Sequence, residues 1–409
     1  MKKKITIIGI NYYPEDTAIG LYTSQLANYY FSKGIEVTVI TGFPYYPAWK
    51  INSEYKSKKK FHKESINGIN VLRYKQYVPK NPTFLKRILH LLDFSFGTMI
   101  NIFKIKETDV VLCIVPFIGS VFLGKLLSKL KKSKLWVHIQ DFEFDAVSDS
   151  NIIESKANKS LFFKLLFWIE SKLLNSADII STISNSMMLK LDGKNLPLEK
   201  RKLLPNWVDV NFINPDKFNE HEYLKSHKFK ILYSGNIGEK QDWIFFLKLV
   251  ESLDEEVDIE FVVVGNGSKR EWLEAKMSNS KNIHFHNPVA YNELSNLLCS
   301  ADLHILFQKK DVIDTVMPSK ILAMMASQKP SLITGNLKSE VFTIINESKG
   351  GQYFDASNIS DVLNFIKTIK KDKELSKKIG FNARKYVALN FSKEEILNQF
   401  KDTFIELSK

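Results

Sequence analysis

Between Phe229 and Val250 the chain changes character twice. Phe229-Lys-Ile-Leu-Tyr233 reads as a buried strand and Ser234-Gly-Asn-Ile-Gly238 breaks it. Trp243, Ile244, Phe246, Leu247 and Val250 then resume an apolar pattern at helical spacing. A strand that passes through a two-glycine loop into a helix is the unit from which open α/β sheets are built. It also gives backbone N–H groups that can face an anion, and Lys240 adds a cation where the helix is read to begin. The plain alternative is a strand-to-helix turn with a solvated lysine, because short glycine motifs recur by chance.

The same alternation fills the chain. Lys4–Ile10 reads as a strand, Asn11–Ile19 as a loop kept from helix by Pro14, and Leu21–Phe31 as a helix opened by Gly20 and closed at Gly34. Strand Glu36–Thr41 completes a βαβ opening, without the G-x-G-x-x-G of a dinucleotide fold. Further strands are expected at 69–74, 109–115, 134–139, 178–182 and 202–204 in the first half, and at 229–233, 258–264, 282–285, 303–306 and 331–334 in the second. At 409 residues this makes two doubly wound, Rossmann-like α/β domains. We place them at 1–205 and 206–380, with a helical segment 381–409 crossing back to the first; helix is expected from Glu374 to Leu407.

Charge is unequally shared. Residues 1–205 carry 31 Lys and Arg against 17 Asp and Glu, a net of +14, whereas the remaining 204 net −1. An anionic partner for the first domain is one reading, and solubility charge is the other. Gly42 to Gly68 reads as one long loop, rich in aromatics, Pro and Lys. Tyr45, Tyr46, Trp49, Lys58, Lys59 and Lys60 make it a candidate for a lipid headgroup or single-stranded nucleic acid, or a surface loop packed by its own rings. Phe84–Lys106 is apolar nearly all round, broken by Lys86, Arg87, His90 and Asp93. It suits a membrane interface or a core helix, as does the second apolar helix, 161–174. No nucleic-acid-binding motif is present, so no nucleic-acid partner is expected. Two cysteines, Cys113 and Cys299, suit a reducing compartment and exclude a disulfide scaffold. The apolar run after Lys2-Lys3-Lys4 is too short for a signal peptide, no transmembrane helix is expected, and no zinc spacing occurs.

Carboxylates and a histidine follow the strand at 134–139: His138, Asp141 and Glu143. With Glu15 and Asp16 of the first loop they are candidates for a general base, and a charged loop at a sheet edge is the structural alternative. Asn266 follows another strand; Asn206 and Asp209 mark the crossing between domains; Asp311 and Asp314 lie in the segment Phe307–Met317.

Seven motifs in order now carry a resemblance: Asn11-Tyr-Tyr-Pro-Glu15, Pro44-Tyr-Tyr-Pro47, His138-Ile-Gln-Asp-Phe-Glu143, Pro205-Asn-Trp-Val-Asp209, Tyr233-Ser-Gly-Asn-Ile-Gly-Glu-Lys-Gln241, Gly265-Asn-Gly267 and Pro318-Ser-Lys320. Together the chain resembles the WcaI/WbuB-like branch of glycosyltransferase family 4, from about residue 5 to 407. The resemblance implies a GT-B fold, two facing Rossmann-like domains with an interdomain cleft. It implies metal-independent, anomer-retaining transfer from a nucleotide-diphosphosugar, a fucose-type sugar favoured, to a polyprenyl-diphosphate-linked glycan. No cofactor or metal is expected, and the protein would work at the cytoplasmic face of the membrane against an anionic surface. The donor would meet Gly20, Gly235, Asn236, Gly238, Lys240, Gly265, Asn266, Pro318, Ser319 and Lys320. Lys240, Asp141, Glu143, His138 and Glu15 are the catalytic candidates. Tyr45, Tyr46, Trp49, Lys58, Lys59, Lys60, Lys86 and Arg87 would face acceptor or membrane. The chain departs from the family at Ala323 and Thr315, where acids are usual, and at Asn236 and Gln241. A catalytically silent GT-B binding module and a sugar-nucleotide 2-epimerase are the alternatives.

Overall fold

A computed structural model describes residues 2–16, 18–116, 118–142, 168–194, 196–310, 319–355 and 358–409. The chain forms two compact units, Met1–Pro205 with Leu397–Lys409, and Asn206–Ile396.

In the first unit eight strands make one sheet in the order β3-β4-β2-β1-β5-β6-β7-β8. They are β1 (Lys4–Ile8), β2 (Glu36–Gly42), β3 (Phe61–Ile66), β4 (Ile69–Tyr74), β5 (Val110–Val115), β6 (Lys134–Ile139), β7 (Ile179–Thr182) and β8 (Arg201–Leu203). All pairs are parallel except β3 with β4. Every residue of β5 is buried, as a central parallel strand covered on both faces requires. The covering helices include α1 (Ala18–Ser32), α2 (Phe84–Ile102), α3 (Ile118–Lys131) and α4 (Asn185–Asp192).

The expectation of one long loop from Gly42 to Gly68 is corrected by β3, which pairs antiparallel with β4. Asn67 and Gly68 both have positive φ, +51° and +83°, the backbone of a tight hairpin turn. Arg73 on β4 draws the remaining loop inward. Its fully buried guanidinium donates to Glu64, to the Gly42 carbonyl at 2.9 Å and to the Tyr13 carbonyl, and lies over the Tyr55 ring.

The second unit is a six-stranded parallel sheet in the order β11-β10-β9-β12-β13-β14. Its strands are β9 (Phe229–Ser234), β10 (Ile259–Val264), β11 (Ile283–His286), β12 (Leu303–Phe307), β13 (Ser331–Gly335) and β14 (Gly351–Asp355). Alternate residues feed opposite cores: Ile231, Phe261 and Phe307 pack with Phe246 on one face, and Leu232, Val262 and Leu306 pack with Ile321 and Met325 on the other. Helices α5 (Trp243–Glu251), α6 (Arg270–Lys276), α7 (Leu294–Cys299), α8 (Ser319–Ala326), α9 (Glu340–Ser348) and α10 (Ile359–Lys371) lie between or after these strands. The strand β14 escapes sequence reading because it opens on glycine. A side chain at Gly351 would sit 2.0 Å from the Ser331 carbonyl oxygen, so packing on β13 selects the residue.

The helical stretch read as 374–407 is two helices, α11 (Lys373–Asn390) and α12 (Lys393–Leu407). At the break, Ser392 makes a bridge to Val208. The residues of α12 from Leu397 onward pack on the first unit. Phe400 stacks on Trp136 with ring centroids 5.5 Å apart, and its carbonyl accepts from Tyr30 Oη at 3.1 Å.

Candidate active site

In the second sheet β9 lies between β10 and β12, and the strand order reverses there. Parallel sheets offer their ligand crevice at the carboxyl ends of strands at such a switch point. The loops after β9 and β10 meet face to face. A Cβ on Gly265 would stand 1.9 Å from the Gly235 carbonyl oxygen, and one on Gly267 would stand 2.3 Å from that of Ile237. Only glycine permits this approach. The Gly235 N–H donates to Val264 O at 2.9 Å and the Ile237 N–H to Asn266 O at 2.9 Å, which lock the two loops together.

Lys320 joins them from the far side of the switch point. It is the second residue of α8, the helix that follows β12. Its ammonium lies 3.4 Å from the position a Gly235 Cβ would take, donates to Tyr233 Oη at 3.3 Å, and stands 4.7 Å from the Tyr233 ring centroid. Tyr233 Oη in turn donates to the Asn236 carbonyl at 2.6 Å, and burial raises the phenol well above its ordinary pKa, so it stays neutral. A cation near a helix N-terminus is unfavourable unless an anion joins it. Lys320 has the Tyr233 hydroxyl and ring and Gly235 among its neighbours, at the mouth of the paired glycine loops.

The first unit uses its charged side chains differently. Glu15 is buried, and its Oε1 accepts the N–H groups of Tyr45 and Tyr46, each at 2.8 Å, while Oε2 accepts from Asn11 Nδ2 at 2.9 Å. Burial raises its pKa, against the pull of those three donors. Tyr45, Trp49 and His90 pack edge to face, with Arg87 over the Trp49 ring at 5.2 Å. His138 on β6 lies in the core, with Nδ1 2.9 Å from Ser181 Oγ, Nε2 accepting from Gln140 at 3.0 Å, and Phe400 against its ring.

Residues 17–207 match the glycosyl transferase 4-like domain, and residues 216–386 match the glycosyl transferases group 1 model. Over 408 residues, 97% of this chain and 98% of the relative, the sequence is 31% identical to the colanic acid biosynthesis glycosyl transferase WcaI of Escherichia coli. The chain belongs to this glycosyltransferase family. Solved structures share its GT-B fold. Sucrose-phosphate synthase from Thermosynechococcus elongatus aligns with a TM-score of 0.73 at 13% identity over 99% of both chains. HepE of Anabaena in complex with UDP-glucose aligns at 0.66 and 13% identity, over 98% of this chain and 99% of that one.

Within this glycosyltransferase the expected donor residues divide. Gly235, Gly238, Gly265 and Lys320 stand together around the paired loops, with Asn236 and Asn266 exposed at their tips. Gly238 is held from both sides, its N–H by Gln241 Oε1 at 3.1 Å and its carbonyl by Trp243 Nε1 at 2.7 Å. Ser319 opens α8; Pro318, Asp311, Asp314 and Thr315 lie outside the described residues. Lys240 is corrected in place. It is exposed in a turn three residues before α5, whose N-cap is Asp242, so a carboxylate already accepts the Phe245 N–H there. Gly20 lies against Glu15, and a Cβ on it would stand 2.8 Å from that of Glu15.

Two base candidates are corrected by burial. Glu15 has backbone and amide donors on both oxygens, and His138 is enclosed and held neutral, its pKa lowered by burial to about 3. Asp16 is exposed, and Asp141 is half-buried just beyond the carboxyl end of β6. Glu143 and residues 161–167 of the apolar segment 161–174 lie outside the described residues. Asp209 is held by Lys393 at 2.9 Å and by two backbone N–H groups, all within the second unit; burial raises its pKa, but these partners prevail and lower it. Asn206 is buried.

Lys58, Lys59, Lys60, Lys86, Arg87 and Tyr46 are exposed, Trp49 is half-buried, and Tyr45 is buried. Sequence reading missed Tyr233, which seats Lys320, and Arg270, whose Nη1 donates to the Gly265 carbonyl and to His286 O at 2.8 Å. The signal for Tyr233 was its place as the last aromatic before the glycine loop. Arg270 follows Gly265-Asn-Gly267 by three residues and carried none.

Proposed function

We propose that this glycosyltransferase moves a sugar, fucose-type favoured, with retention from a nucleotide-diphosphosugar to a polyprenyl-diphosphate-linked glycan. The product would enter a surface polysaccharide such as O-antigen, capsule or exopolysaccharide. The likeness to a colanic acid enzyme supports the pathway class, and the UDP-glucose complex of a structural neighbour supports the donor class.

The observation that carries the reading is Lys320 beside Gly235 and Tyr233 at the switch point. As the sugar departs, negative charge grows on the leaving phosphate. A preorganised cation stabilises that charge in a site where water competes little, often the largest catalytic contribution. Lys320 supplies it without a metal, and the glycine pair lets the diphosphate approach backbone. Asp141 is the described candidate to take the acceptor proton. The basic first unit suits a peripheral place at the inner face of the cytoplasmic membrane, and no helix among the described residues is long and apolar enough to cross one.

The test is transfer from a panel of UDP-, GDP- and TDP-sugars to a short polyprenyl-diphosphate sugar with EDTA present. Turnover with one donor is expected. A donor that raises the melting temperature without turnover would make the protein a binding module. A donor rearranged without acceptor would make it an epimerase.

A further inference from the structure

Helix α2 presents a bare apolar face. Leu85, Leu89, Leu92, Phe96 and Ile100, with Phe103 at the C-cap, are each 44–71% exposed. At about 100° per residue they fall within an arc of about 80°, and they extend for roughly 27 Å along the axis. Scattered exposed leucines are ordinary, but six large side chains in one row are not. The opposite face holds the helix to the sheet: His90, Phe94, Thr98 and Asn101 are buried, and Gly97 lies against the Tyr74 ring.

Charge beside this face is mainly positive, and Glu107 beyond its end is paired with Lys4 at 2.7 Å. Lys86, Arg87, Lys104 and Lys106 are exposed on or just beyond α2. Its one carboxylate, Asp93, is turned to protein, accepting from Tyr74 Oη at 3.0 Å and the Tyr77 N–H at 2.6 Å. The sheet edge beside it adds Lys60, over the Tyr74 ring at 5.4 Å. A second protein chain would need matching acids around an apolar groove. A lipid surface needs only apolar depth and anionic headgroups, which is what a basic-rimmed helix lying in the interface meets.

We propose that α2 is the membrane-inserting element of this protein, lying in the plane of an anionic bilayer with the row from Leu85 to Phe103 among the acyl chains. The proposal deepens the lipid-linked acceptor reading and rests on it. It needs no acceptor for its test, so the two can fail separately.

Both native cysteines are buried, so a Phe96→Cys variant takes an environment-sensitive fluorophore at one site, with Leu189→Cys on α4 as the exposed control. Full-length protein is mixed with phosphatidylcholine vesicles with and without phosphatidylglycerol. The label at 96 should shift to the blue only with the anionic vesicles, and the label at 189 should not shift. The triple variant Leu89→Gln, Phe96→Gln, Ile100→Gln should bind those vesicles at least about tenfold more weakly with its melting temperature kept. Three results would overturn the proposal: no vesicle binding by the native chain, binding with the label at 96 unmoved, or a triple variant that turns a dimer into a monomer yet binds vesicles as before.

Discussion

At the carboxyl edge of the second sheet, Lys320 has a glycine, a phenol and an aromatic face for neighbours. At the corresponding edge of the first sheet, Glu15, Arg73 and His138 are surrounded by groups that use up their hydrogen-bonding capacity. Both places lie at or beyond parallel strands, with Arg73 on β4, His138 on β6, Glu15 in the loop after β1 and Lys320 in the helix after β12. What differs is the setting, a pair of glycine loops in one place and a set of buried hydrogen bonds in the other. A buried polar group that is fully matched serves the fold, and removing it exposes its partners to a desolvation penalty. A cation at the mouth of a glycine cradle, at a switch point of the sheet, stands where a bound anion would be placed. The proposal accordingly places the donor phosphate at Lys320, whereas Glu15 and His138 are held by hydrogen bonds of the fold.

The largest effect should come from separating rate from stability at Lys320. Lys320→Met keeps the alkyl stem against Tyr233 and removes the charge. We expect kcat/KM for transfer to fall ~10²–10³-fold, about 2.7–4 kcal/mol of transition-state stabilisation, with the thermal midpoint almost unchanged. Lys240→Ala, at an exposed turn, should cost far less rate. If the two variants exchange behaviour, the comparison between the two sheet edges fails at its main point.

Next comes the glycine contact that shapes the cradle. In Gly265→Ala the new methyl would collide with the Gly235 carbonyl, 1.9 Å from its ideal place. Relaxing that contact should cost about 1–3 kcal/mol in urea unfolding, and should weaken nucleotide-sugar binding with it. Glu15→Ala should cost a comparable or smaller amount, about 1–3 kcal/mol, because the Tyr45 and Tyr46 N–H groups lose their acceptor. Donor binding by the folded fraction should persist in that variant. Loss of donor affinity at unchanged stability would instead make Glu15 part of the site.

The sheets were legible because central parallel strands are nearly continuous apolar runs, as β5 is throughout and β10 is from Phe261 to Val264. Strands at the margins were harder. Only Tyr353 and Phe354 announce β14, whose opening glycine answers to Ser331 across the pair, and β3 alternates half-buried and exposed residues in a lysine-rich stretch. Its Asn67-Gly68 turn was the available signal. For the site, the glycine motifs and Lys320 could be named from sequence, because backbone approach and charge are properties of residue types. The partners of a carboxylate or imidazole are not: Glu15 meets Tyr45 and Tyr46 thirty residues away, and His138 meets Ser181 forty-three residues away. Only the fold decides whether such a group faces solvent or core.

The smallest expected effect concerns what the two units have in common. Each encloses one histidine in its sheet. His138 contacts Ser181 Oγ and His304 contacts Ser327 Oγ, both at 2.9 Å, and burial lowers each pKa from 6.5 to about 3, with Lys329 adding to the effect at His304. In the unfolded chain both imidazoles take up protons near their ordinary pKa, while in the folded chain they stay neutral until far lower pH. Between those limits the unfolded state binds more protons, so their contribution is complete above 6.5 and is lost progressively as pH falls toward 3. His138→Gln and His304→Gln should each flatten the acid limb of the melting temperature against pH, and the double variant should flatten it further. The native chain and the single variants should differ in slope below pH 6.5 and run parallel above it. A single variant that leaves the acid limb unchanged would show that its histidine is open to protons in the fold, and His138 would return as a group able to meet a substrate.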